Sequence, residues 1–394
     1  MSDFTRRAFL KGAGAMAAAV AGMGVLGGCS NGSASSASAT ASSASASAAS
    51  SASATASSAA AIELSPDTED LTIAVLGKDI KIAALLVADA EGFFAEEGVN
   101  LSFETVANFS DAVTALSDNR MDILPFGSIP TCTFVSQGVE NLCVFGGTIA
   151  EGSECVVLPE NKDKYVTLDD FADAKIAYFP METGHLVMQG LQAEAGTYNP
   201  DNWIIMSDQN AIMQAVLKGE CDCGFLNSGQ GYVAMQQGLT TSMHVGTLAP
   251  DFPCCRQTTS MENMENRKSA LAKFMIAELR GQEFLQSNKE KAIQDLADYS
   301  GQSPEYVENV IYGTAEYDTP MIVEMDPYTD AVCEFYGTMK ATGNIDENTP
   351  YKMEDHVDST IYKFALDTML QRGENEKFYN ELLAAYEQHN TIGK

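Results

Sequence analysis

Two stretches of this chain repeat one another one hundred residues apart, and this internal echo restricts the fold more than any other feature. Ala115, Asp122, Ser128, Gln137 and Gly138 return as Ala215, Asp222, Ser228, Gln237 and Gly238. Between these fixed points both copies read as a helix end, a polar turn, an Asp, a short strand, a Ser, a helix and a closing Gln-Gly. The first copy is preceded by a strand over residues 71–76, a helix over 83–97 that Gly98 stops, a strand over 100–105 and a helix over 111–117. A strand over 122–126 falls inside it. Ahead of the second copy, a strand over 175–179 and a helix over 186–194 echo the opening pair. Strand–helix alternation argues for mostly parallel sheets covered by helices. A duplicated unit of this size predicts two similar α/β lobes, for which 394 residues are enough.

After Arg256 the pattern changes. A strand-like 256–260 is followed by a long amphipathic stretch, 266–288, and by helices over 358–370 and 374–388. The simplest path starts in lobe 1, crosses near residues 153–159, and returns near 252–260. The expected division is lobe 1 at 66–153 plus 256–394 and lobe 2 at 154–255, a two-lobed α/β clamshell whose C-terminal helices brace the hinge.

The N-terminus carries its own signals. Thr5-Arg6-Arg7-Ala8-Phe9-Leu10-Lys11 precedes an apolar run over 13–26, too short for a comfortable membrane span. The paired arginines resemble a twin-arginine export signal. Leu26-Gly27-Gly28-Cys29 resembles a bacterial lipobox, which implies cleavage after residue 28 and lipid attachment at Cys29. Residues 30–61 hold only Ser, Ala, Thr, Gly and Asn, a composition that cannot offset the entropy of ordering. Residues 29–65 therefore read as a tether, with a reach of roughly 30 Å for its flexible part. The leader, 1–28, and the tether together predict an extracytoplasmic, membrane-anchored protein. With 23 Lys and Arg against 54 Asp and Glu, the net charge of −31 excludes a partner bound through phosphates, so no nucleic acid is expected.

In open α/β sheets ligands sit beyond the carboxyl ends of strands, against helix N-termini. Two facing lobes then bring together Lys78, Asp79 and Lys81 after the first strand, Gly127 and Ser128 after the third, and Glu151 and Ser153 at the exit to the crossing. Glu182, Thr183, Gly184 and His185, with Asn227 and Ser228, form the opposite wall. Each has a plainer alternative. Gly127 and Gly184 can serve turns, and Ser128 and Ser228 can be helix caps. Lys78 and Lys81 can be solvated charges and His185 a structural hydrogen-bonding residue. Asp122 and Asp222 read as turn-closing residues.

Residues 88–99, Ala88-Asp89-Ala90-Glu91-Gly92-Phe93-Phe94-Ala95-Glu96-Glu97-Gly98-Val99, resemble the opening of the nitrate/sulfonate/taurine/thiamine-pyrimidine solute-binding family. The segment 115–122, with Asn119 in place of the usual Gly, resembles it too. So do Lys175-Ile176-Ala177, Gly219-Glu220-Cys221-Asp222, the helix through Phe284-Leu285 to Asn288, and residues 355–366. The likeness runs over about 70–370 and implies a type II periplasmic-binding-protein clamshell that feeds an ABC permease with cytoplasmic ATPase subunits. It implies a small polar solute, sulfonate-, taurine- or nitrate-like, no cofactor, no metal and a monomer. Arg256 is the one arginine near the predicted crossing, so a guanidinium clamp on a sulfonate is not evident, while Glu151 and Glu182 favour an amine or an amidine-like ring. A pyrimidine binder, or a related pyrimidine-forming enzyme on the same fold, is the competing reading, and a tethered adhesin a third.

Eight cysteines remain beyond Cys29. A hinge disulfide from Cys155 to Cys254 or Cys255 competes with burial of all eight as small apolar side chains. Neither Cys221-x-Cys223 nor Cys254-Cys255 has a nearby His to make a metal site. No phosphate loop, Ser-His-Asp order or His-Glu-x-x-His is present, so binding without chemistry is expected.

Overall fold

The structure is a computed structural model that describes residues 62–180 and 182–393. The leader, Cys29 and the Ser/Ala-rich stretch through residue 61 lie outside the described residues. Strand β1 (Glu69–Val75) pairs in parallel with β2 (Val99–Thr105). The third strand of this half is reduced to residues 123 and 124, which bridge Ile73 on one side and Thr258 on the other. Pro125 follows at once and has no N–H to extend a ladder, so the predicted strand over 122–126 stops there. Through these bridges β1 and β2 join β9 (Cys255–Thr259), β3 (Cys143–Ala150) and β10 (Ile322–Val323). The second sheet runs β6 (Trp203–Ile205), β5 (Ile176–Tyr178), β7 (Cys223–Asn227), β4 (Ser153–Val157), β8 (Thr240–His244).

The two sheets share one order. In each, the first strand lies between the second and the third, and an antiparallel strand follows: β9 in the first sheet and β4 in the second. Those antiparallel strands are the ones that arrive from the other half, because the chain leaves the first sheet between β3 and β4 and returns between β8 and β9. The sheets are therefore mixed, with parallel pairing among the strands that belong to the repeat and antiparallel pairing where the chain crosses.

The echo has a physical basis. Asp122 Oδ2 accepts from the Thr72 amide and Asp222 Oδ2 from that of Lys175, each tying the third strand to the start of the first. Asn108 and Asp208 cap the helices Phe109–Ser117 and Gln209–Leu217 through the amides of Asp111 and Ala211. Asn119 and Gly219 both sit at positive φ, 55° and 69°. Asn is among the few side chains that tolerate this backbone, which explains how it stands where the family pattern has Gly.

Elsewhere the helix expected over 83–97 breaks. Ala83–Ala90 ends where Gly92 turns left-handed at φ 78°, and Phe93–Glu96 forms a separate turn. The long helix Lys268–Ser287 packs on Ala83–Ala90 and on Thr360–Arg372, and Gly281 is pressed against the Ala84 carbonyl. Glu376–His389 completes this layer over the first sheet. Among the described residues no helix is long and apolar enough to cross a membrane.

Candidate functional site

Where the carboxyl ends of the two sets of parallel strands meet, the structure holds a cavity of about 90 Å³. Leu76 follows β1, Phe126 follows the bridging pair, Phe179 follows β5, and Asn227 ends β7; all four line it. Asp79 and Lys81, Phe109, Gly127, Ile129 and Pro130 complete the first-sheet wall, Thr183 the opposite one. Cys254 and Cys255, where the returning strand β9 begins, also line it. The space suits a solute of a few heavy atoms, since one water needs on the order of 10–15 Å³ by this measure.

Of the sequence-predicted residues, Asp79, Lys81, Gly127, Thr183 and Asn227 line the cavity. Lys78 does not; it is exposed, with its ammonium 6.0 Å from the Tyr299 ring centre. Asp79 caps its own turn by accepting from the Lys81 amide, and its other oxygen is 3.6 Å from Lys81 Nζ. Burial opposes the charge on Lys81, but Asp79, Cys255, Cys254 and Tyr306 together hold its pKa above the ordinary lysine value. Lys81 is thus a fixed cation in the cavity wall. Gly127 must be glycine: its φ is 80°, and a Cβ there would meet Pro130 Cγ at 2.7 Å.

The other expected residues sit behind the wall. Ser128 is buried and donates to the Cys254 carbonyl at 3.1 Å, and Thr183 donates to the same oxygen at 3.4 Å. Neither Ser128 nor Ser228 is a cap: the helices Ser128–Ser136 and Gln230–Gln236 start from Gly127 and Gly229. Ser228 Oγ is buried without a hydrogen-bond partner, against Gly152, whose added Cβ would meet it at 2.5 Å. Ser153 donates to the Leu226 carbonyl at 3.3 Å, and its side chain fills the space a Cβ on Gly184 would need. Glu151, at φ 49°, accepts from the Asp251 amide at 2.6 Å and so links the outgoing and returning crossings.

Glu182, expected to face an amine, is instead fully buried and caps its own helix, Thr183–Ala195. It accepts from the Gly184 and His185 amides at 2.8 Å each. His185 is buried as well, 4.5 Å between ring centres from Tyr178, with Nδ1 3.6 Å from Glu182. Glu154 plays the matching part at Gln230–Gln236: it accepts from the Gly229 amide at 3.1 Å, from Thr241 Oγ1 at 3.4 Å and from the Tyr317 hydroxyl. Burial, partly offset by these donors, raises its pKa to about 7. Internal carboxylates therefore occupy the two helix N-termini of the second sheet that were expected to receive an anion. The helix Ser128–Ser136 has no such carboxylate on it.

Arg256 is also committed elsewhere. It is fully buried, donates to the carbonyls of Asp326 and Ile149, and lies 4.8 Å from the Tyr328 ring centre. It ties the returning strand to the crossing and to the C-terminal region. The eight described cysteines are free. The expected Cys155 bridge to Cys254 or Cys255 is not formed: Cys155 lies on β4 and shares a hydrogen bond with the Cys223 thiol, while Cys254 and Cys255 have 3.8 Å between their sulfurs. No group of three or more His, Cys, Asp or Glu side chains is placed to hold a metal among the described residues.

The profile of a family described as NMT1/THI5 like matches residues 79–292, more than half of the chain. The chain belongs to the NMT1/THI5-like family. Comparison with curated proteins gives no match. Among solved structures, the periplasmic nitrate-binding protein of Synechocystis PCC 6803 is 16% identical with a TM-score of 0.61, covering 78% of this chain and 90% of its own. The periplasmic aliphatic sulphonate binding protein of Escherichia coli is 15% identical at 0.57, covering 74% and 92%. The desulfurization enzyme DSZB is 12% identical at 0.53, covering 76% and 99%. At these identities the likeness establishes the shared periplasmic-binding-protein fold of this NMT1/THI5-like chain, and both binding proteins and an enzyme use it.

Phe109, Phe126, Phe179 and the Cys254-Cys255 pair were missed as lining residues by the sequence reading. Phe126 and Phe179 carry the one available signal, since each ends a strand that the repeat predicts, 122–126 and 175–179.

Proposed function

We propose that the chain is an extracytoplasmic solute-binding protein, exported by the twin-arginine route and anchored by lipid at Cys29. It captures a small polar solute between residues 66–153 with 256–394 and residues 154–255, then delivers it to an ABC permease. The observation that carries this reading is the cavity itself. It is assembled from strand ends of both sheets, with Lys81 on one wall and Thr183 and Asn227 on the other. A solute that touches both walls stabilises the closed form through contacts made only when the lobes are together. Lys81 is the counter-charge for an anionic head such as a sulfonate or nitrate, and Asp79 beside it suits the amine of a taurine-like zwitterion. Fold neighbours that bind nitrate and sulphonates support this class.

A flat heterocycle is the second reading. Phe109, Phe126 and Phe179 line the cavity and give it the aromatic surface that suits a pyrimidine. In this reading the captured solute is bound and released unchanged.

A thermal-shift screen with alkanesulfonates, taurine, nitrate, pyrimidines and amines tests the reading. A true solute at one hundred times its Kd stabilises the protein by about 2.7 kcal/mol. Lys81→Met is expected to remove the response to an anion and leave the melting of the unliganded protein nearly unchanged. No response to any class, or an anion response that survives Lys81→Met, would overturn the proposal.

A further inference from the structure

The cavity holds one pair of groups that solute capture does not use. Cys254 and Cys255 both line it, their sulfurs 3.8 Å apart, and Cys255 is partly exposed. Besides Cys254, two groups around Cys255 favour its thiolate, and the Asp79 carboxylate opposes them. The Gly127 amide, which opens the helix Ser128–Ser136, bonds to its sulfur, and the Lys81 ammonium attracts it. We propose that Cys254 and Cys255 form a reactive dithiol opening on the cavity, a thiol–disulfide exchange site whose substrates are low-molecular-weight disulfides.

The roles follow from position. Cys255 meets the cavity and is the attacking thiolate; Cys254, more deeply buried, is the resolving thiol. The Cys255 sulfur attacks one sulfur of the small disulfide R–S–S–R, whose S–S bond breaks and releases one thiolate, leaving a mixed disulfide on Cys255. Cys254 then attacks the Cys255 sulfur, the mixed disulfide breaks, and the proton of Cys254 is carried off with the departing thiols. The net change is two R–SH formed and two cysteine thiols oxidised to a Cys254–Cys255 disulfide, with the small disulfide as the oxidant. An attacking thiol performs best when its pKa lies near the ambient pH. The hydrogen bond from Cys254, opposed by burial and aided by Lys81 and the Gly127 amide, lowers Cys255 to about 7. Burial pushes Cys132 up to about 12 and Cys143 and Cys223 well above the usual thiol value, which leaves these inert.

The test uses the full chain, reduced and native, mixed with bis(2-hydroxyethyl) disulfide, quenched at intervals and mapped by peptide mass spectrometry. Cys255 is expected to exchange about tenfold or more faster than Cys132 or Cys143, and the Cys254–Cys255 peptide then loses two hydrogens. Cys254→Ser is expected to stall as the mixed disulfide on Cys255, and Cys255→Ser to abolish uptake on this peptide. Equal exchange at Cys255 and Cys132 in the wild-type protein would overturn the proposal, as would a mixed disulfide on Cys255 that persists in the wild type as long as it does in Cys254→Ser. The wild-type kinetics alone decide the first point, whatever the variants do to folding, and no solute need be known.

Discussion

Glu154 offers the sharpest test of how the second-sheet helix ends are built. It is fully buried on β4, and the groups that donate to its carboxylate are neutral: the Gly229 and Gly231 amides, Thr241 Oγ1 and the Tyr317 hydroxyl. These neutral donors do not replace the water lost on burial, so its pKa rises from 4.5 to about 7. A carboxyl that binds its proton more tightly when folded contributes stability below about pH 4.5 that is lost as pH climbs through about 7. At about 1.4 kcal/mol per unit, that loss is on the order of 3 kcal/mol. Glu154→Gln keeps the shape and an acceptor for Gly229 and Tyr317 but cannot ionise. Chemical denaturation of both proteins from pH 5 to pH 8 is the assay. Wild type and variant are expected to be similar at pH 5, with the variant gaining about 2–3 kcal/mol over wild type by pH 8. Burial also raises Glu278, to about 8, and Glu324, to about 7, but both are present in each protein and cancel in the difference. Parallel stability curves across this range would refute the reasoning.

Four further substitutions separate structural roles from ligand contact. Ser128→Ala removes a buried hydrogen bond to the Cys254 carbonyl and is expected to cost about 1 kcal/mol of unliganded stability, whereas Ser228→Ala removes an unpartnered hydroxyl and should be neutral or slightly stabilising by the same denaturation assay. Gly184→Ala places a methyl group into the Ser153 side chain and is expected to lower stability by about 1–3 kcal/mol or more, read as a drop in Tm; an unchanged Tm would contradict the close packing. Arg256→Met strips the Asp326 and Ile149 carbonyls of their buried donor and removes one of the cations, beside His389, that favour ionised Glu324, so a loss of roughly 3–5 kcal/mol is expected in the denaturation assay.

What the sequence alone determined was local. Asp122 and Asp222, Asn108 and Asp208, and Asn119 and Gly219 do their work within a turn or one strand pair, so the same chemistry recurs at a spacing of one hundred and exposes the repeat. The strand–helix alternation and the late helices at Thr360–Arg372 and Glu376–His389 follow from periodicity for the same reason. Tertiary structure decided which polar groups at the strand ends remain available to a solute. Glu182 and Glu154 turn inward onto helix amides, Arg256 onto carbonyls, and Ser128 onto the returning strand, because a buried polar group is stable only when a partner is in reach. The crossing strands bring those partners from more than seventy residues away in the cases of Glu154 and Ser128. The same crossings set Cys254 and Cys255 beside Lys81, a neighbourhood written nowhere in the spacing of the chain.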